Sequence, residues 1–404
     1  MKKILAAILC LTLLTGLCAC GAPPEETQGT SPAQTEQIKD PEPSQTVPAE
    51  PETLEIPEIP AQDQQIADIP QSTEQWIFTN YDQTFIWQDP QGERHTMTVV
   101  LPALAPAAEF AVRYNASVSQ LGQLLLEEVE HSWEKGYYPS TQSLTYKTYT
   151  SDDVLFIIME RRMTEGYSML YVDAFDLEEC KQLYAGQVTE ALADMDYPTF
   201  ILAVTELTRQ QYIRTYEPIV TEIEAGTYTG SDSYFITEPN QMVADYYHTL
   251  DRLPYLTLYI SQARMFVDES GALLLSLCIP ETDGMDSTRM VIPFDIAALG
   301  WSQMPSDDRS YGYLLDIQHY VDGIHADAWS IMLTEAFFSD PEEFVEHAAV
   351  ESKDSITRII GQLKYNLYGD ALTTFIEECN RLLSDDDMTA YEQAFVNAAL
   401  AEIQ

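Results

Sequence analysis

Basic residues are scarce in this 404-residue chain: 20 Lys and Arg stand against 65 Asp and Glu, a formal charge of −45. Without Lys2 and Lys3 the balance is 18 to 65, about −47. A surface of that sign repels nucleic acid and anionic lipid, and it attracts cationic proteins or divalent ions. Cysteine is scarce too. Of the six, Cys10, Cys18 and Cys20 lie in the first twenty residues, which leaves Cys180, Cys278 and Cys379. An odd number at wide spacing allows at most one disulfide, and no C-x-x-C pair exists for zinc or redox work, so buried thiols are expected. Beyond the N-terminus no apolar run reaches 18 residues, whereas a membrane-crossing helix needs about 20. The G-x-S-x-G elbow, the P-loop and the dinucleotide fingerprint are all missing, so the corresponding hydrolase and nucleotide-binding classes lack support.

Lys2 and Lys3 precede the apolar run Ile4 to Leu14, interrupted by Thr12. At about 11 residues it is a secretory signal rather than a span. It leads into Leu17-Cys18-Ala19-Cys20, and Leu-x-Ala-Cys resembles the lipobox of bacterial lipoproteins. That resemblance implies a diacylglycerol on the sulfur of Cys20, which becomes the mature N-terminus, and an extracytoplasmic location on the cell membrane. Several acyl chains hold far more firmly than one. Residues 21 to 74 carry 10 of the 22 prolines, 12 acidic residues, one Lys and no aromatic residue. Such a segment buries too little apolar surface to offset its ordering entropy, so a disordered acidic stalk is expected over 20–75. As a flexible coil it would span roughly 40 Å.

Order is expected from Trp76. Thr84 to Trp87 and His95 to Leu101 read as strands joined by the turn Asp89-Pro90-Gln91-Gly92. Phe110, Tyr114, Val118, Leu121, Leu125 and Val129 recur at helical spacing and predict a helix over 107–134. Strands follow at Ser143 to Tyr149, Val154 to Arg161 and Tyr167 to Phe175, then a helical region over 179–215 in which Pro198 starts the second half. Further strands are predicted at Tyr234 to Thr237, Leu256 to Ile260, Arg264 to Val267, Ala272 to Ile279 and Arg289 to Phe294, with a helix over Gln241 to Leu250. From Tyr311 the pattern is helical. Asp340-Pro341-Glu342-Glu343 sets an N-cap, an N1 proline and an N3 Glu in order, and Thr389 to Glu392 is a capping box. The fold class is α+β: two small antiparallel-sheet-plus-helix units over 76–220 and 221–300, then a helical bundle over 301–404.

Three features of the 76–300 region carry a resemblance. They are the helix start Phe110-Ala111-Val112-Arg113-Tyr114-Asn115, the strand end Tyr171 to Leu177 followed by Lys181-Gln182-Leu183, and the late hairpin from Met265 to Asp268 and Val291 to Phe294. In these the region resembles extracellular domains of unknown function found in lysozyme-sensing anti-sigma factors and ahead of peptidoglycan deacetylase domains. The family pattern has Thr-Gly before that Lys, where this chain has Glu179-Cys180. The resemblance implies an extracellular binding or sensing module. A lipid anchor stands here in place of the family's transmembrane helix, and there is no deacetylase domain and no Thr-Phe-Asp-Asp metal motif. The C-terminal helices lie outside the resemblance.

Local motifs for chemistry are few. Ser132-Trp133-Glu134-Lys135 matches S-x-x-K, but the partner K-T-G strand is lacking, since Lys147-Thr148 is followed by Tyr149. The match reads as the end of an amphipathic helix. His319, Asp322, His325 and Asp327 fall within nine residues and are the candidate metal ligands. On one helix, however, His319 and His325 sit about 120° apart, so a break at Gly323 would be needed. The plainer reading is a junction between helices with polar caps, and no cofactor is expected. Asp152-Asp153, Asp307-Asp308 and Asp385 to Asp387 read as turns and helix starts. The 24 tyrosines read mostly as strand and core residues, with a sugar-stacking platform as the functional alternative.

The expectation is therefore a non-catalytic, lipid-anchored surface protein that binds or senses an envelope ligand. Candidate partners are a cell-wall glycan or a cationic wall-active protein such as lysozyme, with the membrane engaged through Cys20 and no nucleic acid. One alternative is a wall hydrolase or deacetylase whose site is assembled from distant residues, visible as convergent carboxylates or as His319 and His325 around a metal. Another is a solute-binding lipoprotein, which would have two doubly wound lobes.

Overall fold

The computed structural model describes residue 58 and residues 76–403, apart from 89–91, 106–108, 136–138, 152, 165, 167, 230–237, 283–286, 300 and 302–304. Alternation builds the first hairpin. β1 (Ile77–Gln88) and β2 (Arg94–Leu104) pair antiparallel with Thr84 opposite Thr98, and a bulge falls between Thr79 and Tyr81. Phe85, Trp87, Met97, Val99 and Leu101 all point to the buried side. The helix predicted over 107–134 is α1 (Glu109–Lys135), and each residue of its expected stripe, from Phe110 to Val129, is buried against this face. Asn115 ties the helix to the end of β2. Its amide oxygen accepts the Leu104 N–H at 2.7 Å, and its amide nitrogen donates to the Leu104 carbonyl at 2.9 Å.

α1 is also the crossover that a parallel junction requires. β3 (Thr141–Ser151) runs parallel to β2, and β4 (Val154–Met163), β5 (Ser168–Asp176) and the short β6 (Lys181–Gln182) follow antiparallel in the order β1-β2-β3-β4-β5-β6. At the far end of α1, Glu128 accepts from Ser140 Oγ and the Thr141 N–H, both at 2.8 Å, and pairs with Arg161 at 3.2 Å. The middle of this sheet is covered on both faces. Leu155, Ile157, Met159 and Phe175 join the α1 core, while Phe156, Ile158 and Ala174 join a larger core on the other side. Two-sided burial explains the unbroken apolar run Val154 to Met159, where alternation disappears.

The helical region expected over 179–215 is two helices, α2 (Ala185–Ala193) and α3 (Tyr197–Glu224). The break is chemical: Asp194 adopts φ +50, Asp196 caps α3 by accepting the Thr199 N–H at 2.7 Å, and Pro198 sits in the first turn. α4 (Pro239–Arg252) follows, while the strand expected at Tyr234 to Thr237 lies outside the described residues. Leu256 to Ile260 is not a strand. Thr257–Ile260 is a single helical turn, α5, with all four residues buried. Its donors go to a later helix rather than to a sheet, since Thr257 Oγ1 donates to the His325 carbonyl and the Leu258 N–H to His325 Nδ1. β7 (Arg264–Val267), β8 (Leu273–Pro280) and β9 (Ser287–Pro293) form an antiparallel three-stranded sheet close to expectation.

Among the described residues that follow, six α-helices are formed: α6 (Asp307–Asp316), α7 (Gly323–Ser339), α8 (Pro341–Ala349), α9 (Lys353–Asn366), α10 (Asp370–Leu383) and α11 (Ala390–Ile403). Both sequence caps are formed. Asp340 accepts the Glu343 N–H at 3.0 Å, and Thr389 and Glu392 exchange bonds at 2.7 and 3.3 Å. The architecture is thus mixed α and β with a C-terminal helical region. Phe200 on α3, Met265 on β7 and Trp329 on α7, which the sequence assigns to three units, share one continuous core. Trp329 is fully buried and donates its indole N–H to the Leu314 carbonyl at 2.9 Å. Among the described residues no helix is long and apolar enough to cross a membrane.

Candidate functional site

The outer face of β3 presents Thr145, Lys147 and Tyr149, two residues apart. Register sets Glu160 of β4 opposite Thr145 and Ile158 opposite Lys147, and Leu170 of β5 lies opposite Glu160. Phe266, Leu274, Arg289 and Val291 of the second sheet face this surface, and Asp268 stands at the turn after β7. The space between is a cleft of about 320 Å³, at the small end of the range typical of ligand sites.

Three of the four charged wall residues, Glu160, Asp268 and Arg289, are held by their own neighbours, and Lys147 is exposed. Glu160 Oε1 accepts from Ser168 Oγ at 2.8 Å and from Arg162 at 3.5 Å. Asp268 Oδ1 accepts from the Ser270 N–H, Ser270 Oγ and the Ala272 N–H at 2.8, 2.6 and 3.0 Å. Those bonds hold its carboxyl below the usual carboxylate range. The Asp268 to Gly271 turn joins β7 to β8, with Gly271 at φ +76, a conformation that favours glycine. Arg289 donates to Ser276 Oγ at 3.1 Å and to Gln262 Oε1 at 2.9 Å. Cys278 Sγ reaches the same Gln262 oxygen at 3.4 Å. Burial pushes this thiol up, and nearby Arg289 opposes the shift. All three cysteines beyond residue 20 are free thiols.

A second cavity, about 180 Å³, lies where helices begin. Asp196 and Asp340, the N-caps of α3 and α8, line it together with Glu190, Asp194, Glu343 and Tyr311. Burial, reinforced by Asp307, Asp340, Asp196 and Glu346, pushes the Glu343 carboxyl up to about 7. Tyr311 is buried with its ring stacked on His347 at 4.3 Å. Burial and the surrounding carboxylates push its hydroxyl well above the ordinary tyrosine range.

The expected metal ligands are not brought together. His319 ends a 3-10 turn, Asp322 is the N-cap of α7, and His325 and Asp327 lie in the first turns of that helix. A break does occur at Gly323, with φ +50, yet His325 Nδ1 is occupied by the Leu258 N–H at 3.3 Å. Burial and Arg252 hold its imidazole below the usual pKa, with Asp322 opposing them. Among the described residues no group of three or more His, Cys, Asp or Glu side chains is placed to hold a metal. Ser132 is buried in the last turns of α1 while Lys135 is exposed at its end. Cys20 lies outside the described residues. Sequence reading missed the cleft, because one wall ends with β5 at Asp176, the other begins with β7 at Arg264, and no local motif joins them. Comparison with protein-family models and with curated proteins returned no match.

Proposed function

We propose that this chain is a lipid-anchored envelope protein, tethered through Cys20 and carried on the acidic Pro-rich segment, that binds a cell-wall ligand outside the membrane. The observation that carries the reading is the cleft between the two sheets, with opposite charges and aromatic side chains on facing walls. Glu160, Asp268 and Arg289, fixed by their own hydrogen bonds, suit recognition, because little of their ordering entropy remains to be lost on binding. The lipobox and the resemblance of 76–300 to extracellular sensing domains support the location. The test is retention on purified peptidoglycan and on immobilised lysozyme across a salt series. Binding above that of an equally acidic control protein is expected on the wall material, and retention no better than the control on both would refute the reading.

A wall hydrolase is the second reading, and the acid-lined cavity favours it. Glu343 at about 7 could act as a general acid beside the N-cap carboxyls of Asp196 and Asp340. Release of soluble reducing ends during the same wall incubation would select this reading over simple binding.

A further inference from the structure

Four charged side chains line the inter-sheet cleft, two on each wall: Lys147 and Glu160 on one, Arg289 and Asp268 on the other. Each keeps polar atoms without a partner among the described residues. Glu160 engages only Oε1 and Asp268 only Oδ1, which leaves Oε2 and Oδ2 for an incoming donor. Lys147 is exposed and makes no ion pair with a described residue, and Arg289 bonds only the neutral Ser276 and Gln262. The four do not pair with one another across the gap.

Ligand classes are separated by what they would leave unmatched. A neutral glycan would meet the four charges through hydroxyl hydrogen bonds but neutralise none of them, so their desolvation would be only partly offset. An anion would suit Lys147 and Arg289 but meet Glu160 and Asp268, and a polycation would meet the reverse. A small zwitterion satisfies both signs, and Ile158, Leu170 and Phe266 offer its side chains an apolar surface. About 320 Å³ suits two or three amino-acid residues rather than a long chain.

We infer that the cleft binds a short peptide with both a free carboxylate and a free amine. The ligand chemistry follows from the cleft itself. That the peptide comes from the cell wall rests on the function proposed above. The probe is a library of free dipeptides presented to the immobilised full-length protein, alongside the same library N-acetylated, the same library C-amidated, and a chitin trisaccharide. Retained dipeptides should bind about tenfold tighter than either blocked form, and Lys147→Gln should weaken them about tenfold with unchanged thermal unfolding. Glu160→Gln should selectively reduce the advantage of the free amine. Failure to retain any dipeptide, equal binding of blocked forms or of the trisaccharide, or unchanged affinity in Lys147→Gln would each overturn the inference. Wall retention without dipeptide capture would remove the ligand class and leave the envelope reading standing. Dipeptide capture without wall retention would do the opposite.

Discussion

At the scale of single residues, Gly186 sits where a side chain has no room. A Cβ placed there would lie 1.7 Å from Ser339 Oγ, 2.5 Å from Ser339 Cβ and 2.8 Å from Tyr197 Cβ. No rotamer change relieves all three, so only glycine lets α2 approach α7 this closely. The approach also has a polar use: Glu335 of α7 accepts the Ala185 N–H at 2.8 Å, satisfying a donor at the start of α2. Burial pushes that carboxyl up, against the pull of Arg264 and of this hydrogen bond. Gly186→Ala should therefore lower stability by about 1–3 kcal/mol through overpacking. Ser339→Gly alone, at the last residue of α7, should cost less than about 1 kcal/mol, yet in the double variant it should recover part of the Gly186→Ala loss. Urea midpoints of the three variants check this, and strictly additive losses would show that the Gly186–Ser339 contact is not the cause.

At the scale of elements, the acid-lined cavity follows from where helices start. Asp196 and Asp340 are good N-caps because a carboxylate answers exposed N–H groups and the helix dipole, but each cap adds a negative charge beside Glu343. The folded-state pKa of Glu343, about 7, lies above the ordinary 4.5. The folded state thus holds the extra proton between those values. Its contribution to stability is complete below about 4.5 and is lost as pH rises through 7. Glu343→Gln does not titrate, so its melting temperature should fall less than that of wild type between pH 5 and 8, and should be the higher of the two at pH 8. Parallel melting-temperature profiles would count against the carboxylate cluster as the source. The Asp340 cap was legible in sequence, as was the Thr389-x-x-Glu392 box, since both are local signals, whereas the Asp196 cap was not read. Also legible was α1, whose apolar stripe recurs from Phe110 to Val129. Leu256 to Ile260 was misread because five buried residues in a row carry no period, and the partner that settles them, His325, is distant. β6 has two residues and cannot show alternation at all.

At the scale of the whole molecule, packing is less divisible than the sequence suggests. Strands, turns and helices announce themselves over five to twenty residues, but a core is made by pairings that no local pattern records, and the same holds for the cleft between β3–β5 and β7–β9. Polar contacts follow the shared core. Thr199 Oγ1 bonds Ser310 Oγ at 2.7 Å, and Tyr313 donates to the Pro254 carbonyl at 2.7 Å and lies 3.0 Å from Thr205 Oγ1. The α1 core, by contrast, draws all its buried residues from 76–175. A fragment ending at residue 300 would keep that first core but lose Trp329, Leu333 and Phe337 from the second, which would expose the apolar faces of α3 and β7–β9. It should retain far-UV strand signal, bind a hydrophobic dye strongly, and melt without the cooperative transition of the full chain. The partly buried walls of the cleft rest on that second core, so the fragment should also lose ligand retention even though every residue lining the cleft is present in it. A sharp, dye-silent unfolding transition in the fragment would show instead that the helices from 307 onward are an appendage, and that the cleft stands on the two sheets alone.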